Sequence, residues 1–298
     1  MKPLLPLAAL ALFAAADAAV AVEAPATDFQ AMPEPGPQDR VLIVSPHPDD
    51  DELCCSGYVQ RAIARGAQVA IVWMTAGDGF TIDAVLINRH FRESGLGMVQ
   101  LGRIRISEAV AAARSVGVPL INLRMLGYPD GGLAALLVTH YDQPFRSPHT
   151  RRSVVPYGEA PSFNQDMTGR NVEQDLARVI DTFQPTVVFA PHAGDQHPDH
   201  STTGEFVRRA LGVRSQLPRL HRYIIHAGSQ WPAPRSLQMQ MRLDPPPPLR
   251  DLPWQRFELT AEEQKAKLAA LRWHGTQWEV MAPYMGSFVR TNELFLSE

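Results

Sequence analysis

The 298-residue chain has little cysteine, little net charge and no internal repeat, and each of these shortages excludes some classes of protein. Lys and Arg total 28 against 31 Asp and Glu, with no long basic run, which argues against nucleic acid as the main partner. Beyond the N-terminus no apolar stretch is long enough to span a bilayer, so we expect no transmembrane segment in the mature chain. Hydrophobic residues make up 45%, which is enough for a full core.

The two cysteines, Cys54 and Cys55, are adjacent and lie inside a predicted helix. Adjacent cysteines rarely bridge each other, so we expect no structural disulfide, even in an oxidising compartment. Metal ligation is an alternative, but packing in a buried helix is favoured for such a pair.

The N-terminus has the pattern of a secretory signal peptide. Met1 and Lys2 precede an apolar run from Pro3 to about Ala15, and small residues suited to cleavage follow. We therefore expect a signal peptide over residues 1–21, a flexible leader over 22–39 and one domain over 40–298, in a secreted or periplasmic protein. A retained anchor or a disordered tail is the alternative.

The first polar motif follows an unbroken aliphatic run at residues 41–44, which predicts a strand buried on both faces of a parallel sheet. His47 stands between Pro46 and Pro48, and a helix is predicted to begin near Asp50, where acidic side chains favour the helix dipole. The motif thus lies at the carboxyl end of a strand, where open α/β folds bind ligands. Taken alone, the loop is explained equally well as a helix cap.

The second motif has matching chemistry. An apolar strand at residues 186–190 leads to His197 and His200, which share one side of a helix if the helix begins near Pro198. Two solvated polar loops would explain both motifs separately. Two strand-to-helix loops that each carry His and carboxylate groups instead favour a shared metal site, because one sheet edge can supply both sets to one ion.

Strands alternate with helical patterns along the chain, which predicts a parallel sheet with helices on both faces and right-handed crossovers. We expect strand order 3-2-1-4-5, which makes strands 1 and 4 neighbours and brings the two motifs together. The segment from about 138 to 169 is predicted to be a lid or disordered. No second core is evident, so we expect one α/β domain. The five predicted strands cover residues 41–44, 68–74, 120–126, 186–190 and 220–227.

The two motifs resemble those of the PIG-L/LmbE family of zinc-dependent deacetylases of N-acetylglucosamine compounds. That family has His-Pro-Asp-Asp-Glu after its first strand and His-Pro-Asp-His after a later one; this chain has the corresponding residues at 47–50 and 197–200. Family-like segments at 105–109, 126–131 and 267–277 extend the resemblance over about residues 40–280, and it implies a Rossmann-like fold. Asp51 departs from the family's usual Glu, and Glu52 follows as a possible substitute.

The resemblance implies roles for the motif residues. His47, Asp50 and His200 would bind Zn²⁺ or another divalent ion, which supplies a strong nucleophile and a polarised carbonyl. Asp49 would be the general base. His197, when protonated, would stabilise the oxyanion and donate a proton to the amine.

The resemblance also implies that Arg105 and Asp130 bind sugar hydroxyls, although an ion pair between them is the alternative. Asp199 and Asp195 are candidates to orient ligand or catalytic histidines, with helix capping as the alternative for Asp199. His192 would orient a ligand or be an ordinary core histidine. The remaining histidines have no partner spacing and are predicted to be exposed or packed: His90, His140, His149, His221, His226 and His274.

Together these features predict an exported zinc-dependent deacetylase that acts on N-acetylglucosamine units of a glycan or glycoconjugate. A non-catalytic carbohydrate-binding envelope protein on the same fold is one alternative, and a metal-dependent amidase or esterase is another. Asp49 and His197 favour an enzyme, because a binding module needs neither a base nor an acid.

Overall fold

The computed structural model describes residues 29–80, 95–212 and 216–298. The predicted signal peptide and His90 lie outside these residues. Part of the segment predicted to be a flexible leader, residues 22–39, is structured: Gln30–Ala31 pairs with another strand and Met32 is buried. Within the described residues, no helix has both the length and the apolar character that a membrane crossing requires.

One eight-stranded sheet forms the centre of the structure, in the order β1-β7-β8-β6-β5-β2-β3-β4. The five predicted strands correspond to β2 to β6, all parallel, and they lie in the expected order. The strands are β1 Gln30–Ala31, β2 Arg40–Ser45, β3 Gln68–Thr75, β4 Leu123–Tyr128, β5 Val187–Pro191, β6 Arg219–Tyr223, β7 Trp254–Glu258 and β8 Asn292–Ser297.

Three of the seven α-helices described begin at clear local start signals. The first starts on the acidic turn at Asp50, the fifth has Pro198 in its first position, and the sixth has a capping box between Thr260 and Glu263. The helices are α1 Asp50–Ala64, α2 Leu96–Ser115, α3 Leu133–Val138, α4 Gly169–Phe183, α5 Pro198–Leu211, α6 Ala261–Leu271 and α7 Gly275–Gly286.

Three strands, β1, β7 and β8, extend the sheet beyond the predicted set. β8 runs antiparallel to both β6 and β7, so the sheet is mixed at this side rather than wholly parallel. Aromatic packing joins this extension to the rest of the core: the ring of Tyr58 on α1 lies 4.7 Å from that of Phe189 on β5 and 4.9 Å from that of Phe257 on β7. The extension therefore shares one core with the predicted strands.

The prediction of no structural disulfide is wrong, because the structure joins Cys54 to Cys55 within α1. Their Cα atoms are 3.7 Å apart, closer than in most disulfides, because the two residues are consecutive. Both side chains are buried, as predicted for packing in this helix.

A buried ion pair joins α1, α6 and β8. Lys267 on α6 donates to the carboxylate of Glu293 on β8 at 2.7 Å and to the carbonyl oxygen of Leu53 on α1 at 2.9 Å. The same carboxylate accepts from the backbone amides of Gly57 and Tyr58. Both charged side chains are about 1% exposed, so each depends on the other for compensation.

We expect Glu293→Ala to lower the free energy of unfolding by about 3–5 kcal/mol, because it leaves the ammonium group of Lys267 buried and unpaired. Urea unfolding followed by circular dichroism measures this. As a control, Glu205→Ala removes pairs with the surface residues Arg208 and Arg209 and should cost about 1 kcal/mol or less. Equal losses in the two variants would contradict this account of the ion pair.

Candidate metal centre

The two sequence motifs meet at one edge of the sheet. β2 and β5 are parallel neighbours, with Val41 opposite Val187 and Ile43 opposite Phe189, so both strands end on the same side. The loop after β2 carries His47, and the first turn of α5 carries His200. The two imidazoles lie together although 153 residues separate them in sequence.

Three ligand atoms form a compact triangle. Nδ1 of His47 lies 3.1 Å from Oδ2 of Asp50 and 3.2 Å from Nε2 of His200, and the last two atoms are 3.2 Å apart. Zinc bonds of about 2.0–2.1 Å in tetrahedral geometry place ligand atoms roughly 3.3 Å from one another. All three side chains are buried, and two imidazoles with one carboxylate suit zinc. The residues present therefore fit one divalent ion.

The charges of this triangle favour a bound cation. Burial alone would lower the pKa of His200, but the carboxylates of Asp50 and Asp195 outweigh it and raise this pKa to about 9. Burial likewise opposes protonation of His47, yet Asp130, Asp199 and Asp50 raise its pKa well above the usual value. The carboxylates thus hold protons on the imidazoles where a metal ion would otherwise supply the positive charge.

Asp195 fixes the ring of His200. Its Oδ2 lies 3.2 Å from Nδ1 of His200 and also accepts from the backbone amides of Ile225 and His226. Its Oδ1 accepts from the backbone amide of His197 at 3.0 Å. A carboxylate on the far nitrogen of a ligand histidine sets the orientation and basicity of the ring. The position of Asp195 fits the orienting role expected from the sequence.

Asp199 contacts a ligand histidine and also caps a helix. Its carboxylate lies 3.5 Å from Nε2 of His47 and accepts from the backbone amides of Gly131 and Leu133, at the start of α3. Its backbone amide donates to Nδ1 of His197 at 3.2 Å. The helix that its carboxylate caps is thus α3 and not α5, to which it belongs.

Arg105 and Asp130 are buried and each has a partner other than the suggested ion pair. Arg105 lies 3.4 Å from Oδ1 of Asp49 and donates to the carbonyl oxygen of Gly77 at 2.8 Å. Asp130 lies 3.2 Å from Nε2 of His47 and accepts from the amide of Gly79. The structure thus places Arg105 against the predicted base and Asp130 against a predicted ligand.

The helix-cap alternative for the first motif explains little of it. Asp49 occupies the N-cap position of α1, yet its side chain makes no capping hydrogen bond. Asp51, at the family's Glu position, is turned towards the sheet, where its Oδ1 accepts from Nε1 of Trp73 at 2.9 Å. Glu52 faces His274 at 3.3 Å. Asp49 and Asp50 are therefore the acidic residues of this motif that line the cavity.

A cavity of about 260 Å³ opens over the triangle. His226, Tyr284 and His149 line it, and the sequence analysis assigned a site role to none of them. The ring of His226 lies 4.7 Å from that of His200, and burial together with the charge of His200 lowers the pKa of His226 to about 3. His226 follows β6, the parallel neighbour of β5. Its position after the carboxyl end of a strand beside the second motif was the sequence feature that could have indicated a site residue.

The segment predicted to be a lid or disordered supplies part of the cavity wall through His149. It carries an antiparallel bridge between Val154 and Asp166, and its residue Tyr157 is buried. His192 is half-buried, and its Nδ1 accepts from the backbone amide of Gly194 at 3.0 Å.

The family model described as "PIG-L: GlcNAc-PI de-N-acetylase" matches residues 42–211, more than half of the chain. A 1D-myo-inositol 2-acetamido-2-deoxy-alpha-D-glucopyranoside deacetylase of Mycobacterium sp. (strain KMS) is 29% identical over 259 residues, which cover 82% of this chain and 75% of the relative. A probable N-acetyl-alpha-D-glucosaminyl L-malate deacetylase 2 of Bacillus anthracis is 29% identical over 58% of this chain and 60% of its own.

Solved structures show the same fold. The N,N'-diacetylchitobiose deacetylase of Pyrococcus horikoshii matches with a TM-score of 0.54 at 20% identity, over 87% of this chain and 83% of its own. The A40926 pseudoaglycone deacetylase Dbv21 also matches at 0.54, with 17% identity, over 87% and 96%. The Rossmann-like α/β fold class and the hydrolytic N-deacetylase activity predicted from the sequence are both confirmed.

The prediction of a secreted or periplasmic protein is wrong. It rested only on the apolar N-terminal run, and the inositol-linked deacetylases that match about four fifths of the chain give it no support. A short apolar run followed by small residues is only a compositional pattern, and it is weaker evidence than a similarity that extends over most of the chain.

We expect zinc affinity to rise with pH up to about 9, because binding displaces a proton that His200 holds below its raised pKa. For each proton displaced, the apparent association constant should rise about tenfold per pH unit. Calorimetry in buffers of different ionisation enthalpy measures both the affinity and the protons released.

His200→Ala should bind no zinc at this site, whereas His140→Ala, outside the triangle, should bind as the parent protein does. A zinc affinity that does not change between pH 6.5 and pH 9 would contradict the assignment of His200 as a protonated ligand in the metal-free protein.

Proposed function

The chain belongs to the PIG-L family, and from that premise we propose that it is a zinc-dependent deacetylase of an N-acetylglucosamine unit in a glycan or glycoconjugate. The observation that carries this proposal is the triangle of His47, Asp50 and His200, with Asp49 beside it. We further propose residues 40–298 as the deacetylase domain. The same donor set also accepts other divalent ions.

His47, Asp50 and His200 would hold the ion. When bound, zinc would acidify a water molecule and polarise the acetamide carbonyl group. The carboxylates of Asp195 and Asp199 hold the two ligand rings in place from their far sides. The protein thus supplies a preorganised, largely water-excluded set of donors.

Asp49 would take the proton of the attacking water. Its carboxylate makes no helix-capping hydrogen bond and lines the cavity. The guanidinium of Arg105 lies 3.4 Å from this carboxylate and holds its orientation. Arg105 is thus a positioning residue for the base, in addition to the sugar contact expected from the family resemblance. The proton on Asp49 would then pass to the departing amine, as general acid catalysis requires.

His197 would stabilise the negative charge that develops on the acetamide oxygen. Its Nδ1 accepts from the backbone amide of Asp199, which leaves Nε2 as the protonated nitrogen of the neutral ring. Burial, His47 and His200 lower the pKa of His197, so the neutral ring is the dominant form near pH 7. It would therefore act as a hydrogen-bond donor through Nε2–H rather than as the cation expected from the sequence.

The size of the cavity supports a single sugar as the group that enters it. Its volume of about 260 Å³ lies below the range of about 300–1,000 Å³ that is typical of pockets for drug-sized ligands. Asp130 and His149 line it together with His47 and Asp50 and would face the sugar hydroxyl groups. The N-acetylglucosamine unit would then be a terminal residue of its conjugate.

We expect Asp49→Asn to lower kcat by about 10²–10⁴-fold while zinc content stays near one per chain, because the base is lost and the ligands are kept. Acetate release from an N-acetylglucosaminide, with zinc measured by atomic absorption, tests this. Asp142→Asn, an exposed surface carboxylate paired with Arg170, serves as the control and should keep full activity.

Full activity of Asp49→Asn would overturn the assignment of the base. Turnover that persists after exhaustive chelation, with zinc shown to be absent, would overturn the metal-dependent reaction itself.

A further inference from the structure

A second hollow adjoins the sugar cavity. Its volume is about 590 Å³, it is more open to solvent, and it shares three lining residues with the sugar cavity: His226, Met281 and Tyr284. His226 follows β6, and the other two lie on α7. If the sugar of a conjugate occupies the first cavity, the rest of the conjugate can therefore contact the second hollow, just beyond this shared wall.

Arg235 gives the second hollow its charge. Among the described residues that line it, Arg235 is the only arginine, lysine, aspartate or glutamate. Its guanidinium carbon lies 4.2 Å from the ring centre of Tyr284, and Nη2 donates to the carbonyl oxygen of Ser229 at 2.8 Å. The arginine is thus held in place from two sides.

The guanidinium of Arg235 has no ionic partner among the described residues. None of their carboxylates lies within ion-pair distance of this half-buried arginine, and none of their oxygens accepts from its Nη1. Nη1 and Nη2 form the planar fork that binds carboxylate or phosphate oxygens in a bidentate manner. An anionic ligand in the hollow would therefore meet an arginine whose charge is not already paired.

The two hollows differ in the charge that they offer to a ligand. In the sugar cavity the carboxylates of Asp49, Asp50 and Asp130 lie against Arg105, the ligand histidines and the ion that these would hold, so its charges are paired with one another. The second hollow has an arginine and no acidic residue among its described lining residues. An anionic substituent on a neutral acetamido sugar would therefore gain most from contact with the second hollow.

We propose that the second hollow is a subsite for the aglycone, the group joined to the aminosugar, and that Arg235 selects aglycones carrying a carboxylate or phosphate. This inference rests on the proposed deacetylation and adds to it the class of conjugate that the enzyme prefers. Arg235 is a specificity-determining residue, because its contact with the substrate lies away from the acetamide.

The test uses three synthetic N-acetylglucosaminides of equal length whose aglycones end in a carboxylate, a phosphate or an uncharged amide. With the zinc-loaded full chain, kcat/KM should be at least about tenfold higher for one or both anionic compounds than for the amide. The two anionic compounds distinguish a carboxylate from a phosphate as the favoured group.

Arg235→Gln should reduce the ratio of kcat/KM for the anionic compound over the amide by about tenfold, whereas Arg235→Lys should keep part of it, because lysine keeps the charge without the fork. Arg242→Gln, an exposed arginine on the same connection that lines neither hollow, should leave the ratio unchanged. Calorimetry on the Asp49→Asn background measures the same preference as binding, without turnover.

Hydrolysis of all three compounds with equal kcat/KM would overturn the subsite and leave the deacetylase function standing. A preference that survives in both Arg235 variants would overturn the role of this arginine. If Arg235→Gln fails to fold, the lysine variant decides the second question. Absence of acetate release from every compound, with zinc bound, would overturn the proposed function and the subsite with it.

Discussion

The parallel pairing of β2 with β5 is the constraint on which the site depends. The first strand delivers His47 and Asp50, and the second delivers His200 through the first turn of α5. Because parallel neighbours end at one edge of a sheet, these groups meet within hydrogen-bonding distance. A shift of register between the two strands would separate the ligand atoms by more than a metal ion can bridge.

Buried charge makes the site and the surrounding fold interdependent. Asp199 accepts from the start of α3 while facing His47, and Asp195 ties the end of β6 to His200. Each carboxylate therefore accepts hydrogen bonds from backbone amides and also contacts the ring of a ligand histidine. A bound cation would complete this balance of charge, because the imidazoles otherwise keep protons to neutralise the carboxylates.

In the proposed function, the reaction and the selection of the substrate take place in two adjoining hollows. The reacting acetamide would lie among carboxylates and histidines in a small cavity, while the rest of the conjugate would lie beside Arg235 in an open one. The two hollows share a wall on α7 and at the end of β6, so changes on the far side of that wall leave the metal ligands untouched.

The sequence by itself determined the positions of the five parallel strands and the two histidine motifs, because aliphatic runs, capping residues and short motif spacings are local signals. The order of those strands was expected only because one shared metal site requires it, and strand pairing in the structure bears it out. Only the tertiary structure decided that His226, His149 and Arg235 line the hollows and that β7 and β8 extend the sheet. Such residues lack a local pattern, since their neighbours come from distant segments. The physical reason is that contact across a sheet edge depends on strand pairing and helix packing, which no short stretch of sequence specifies.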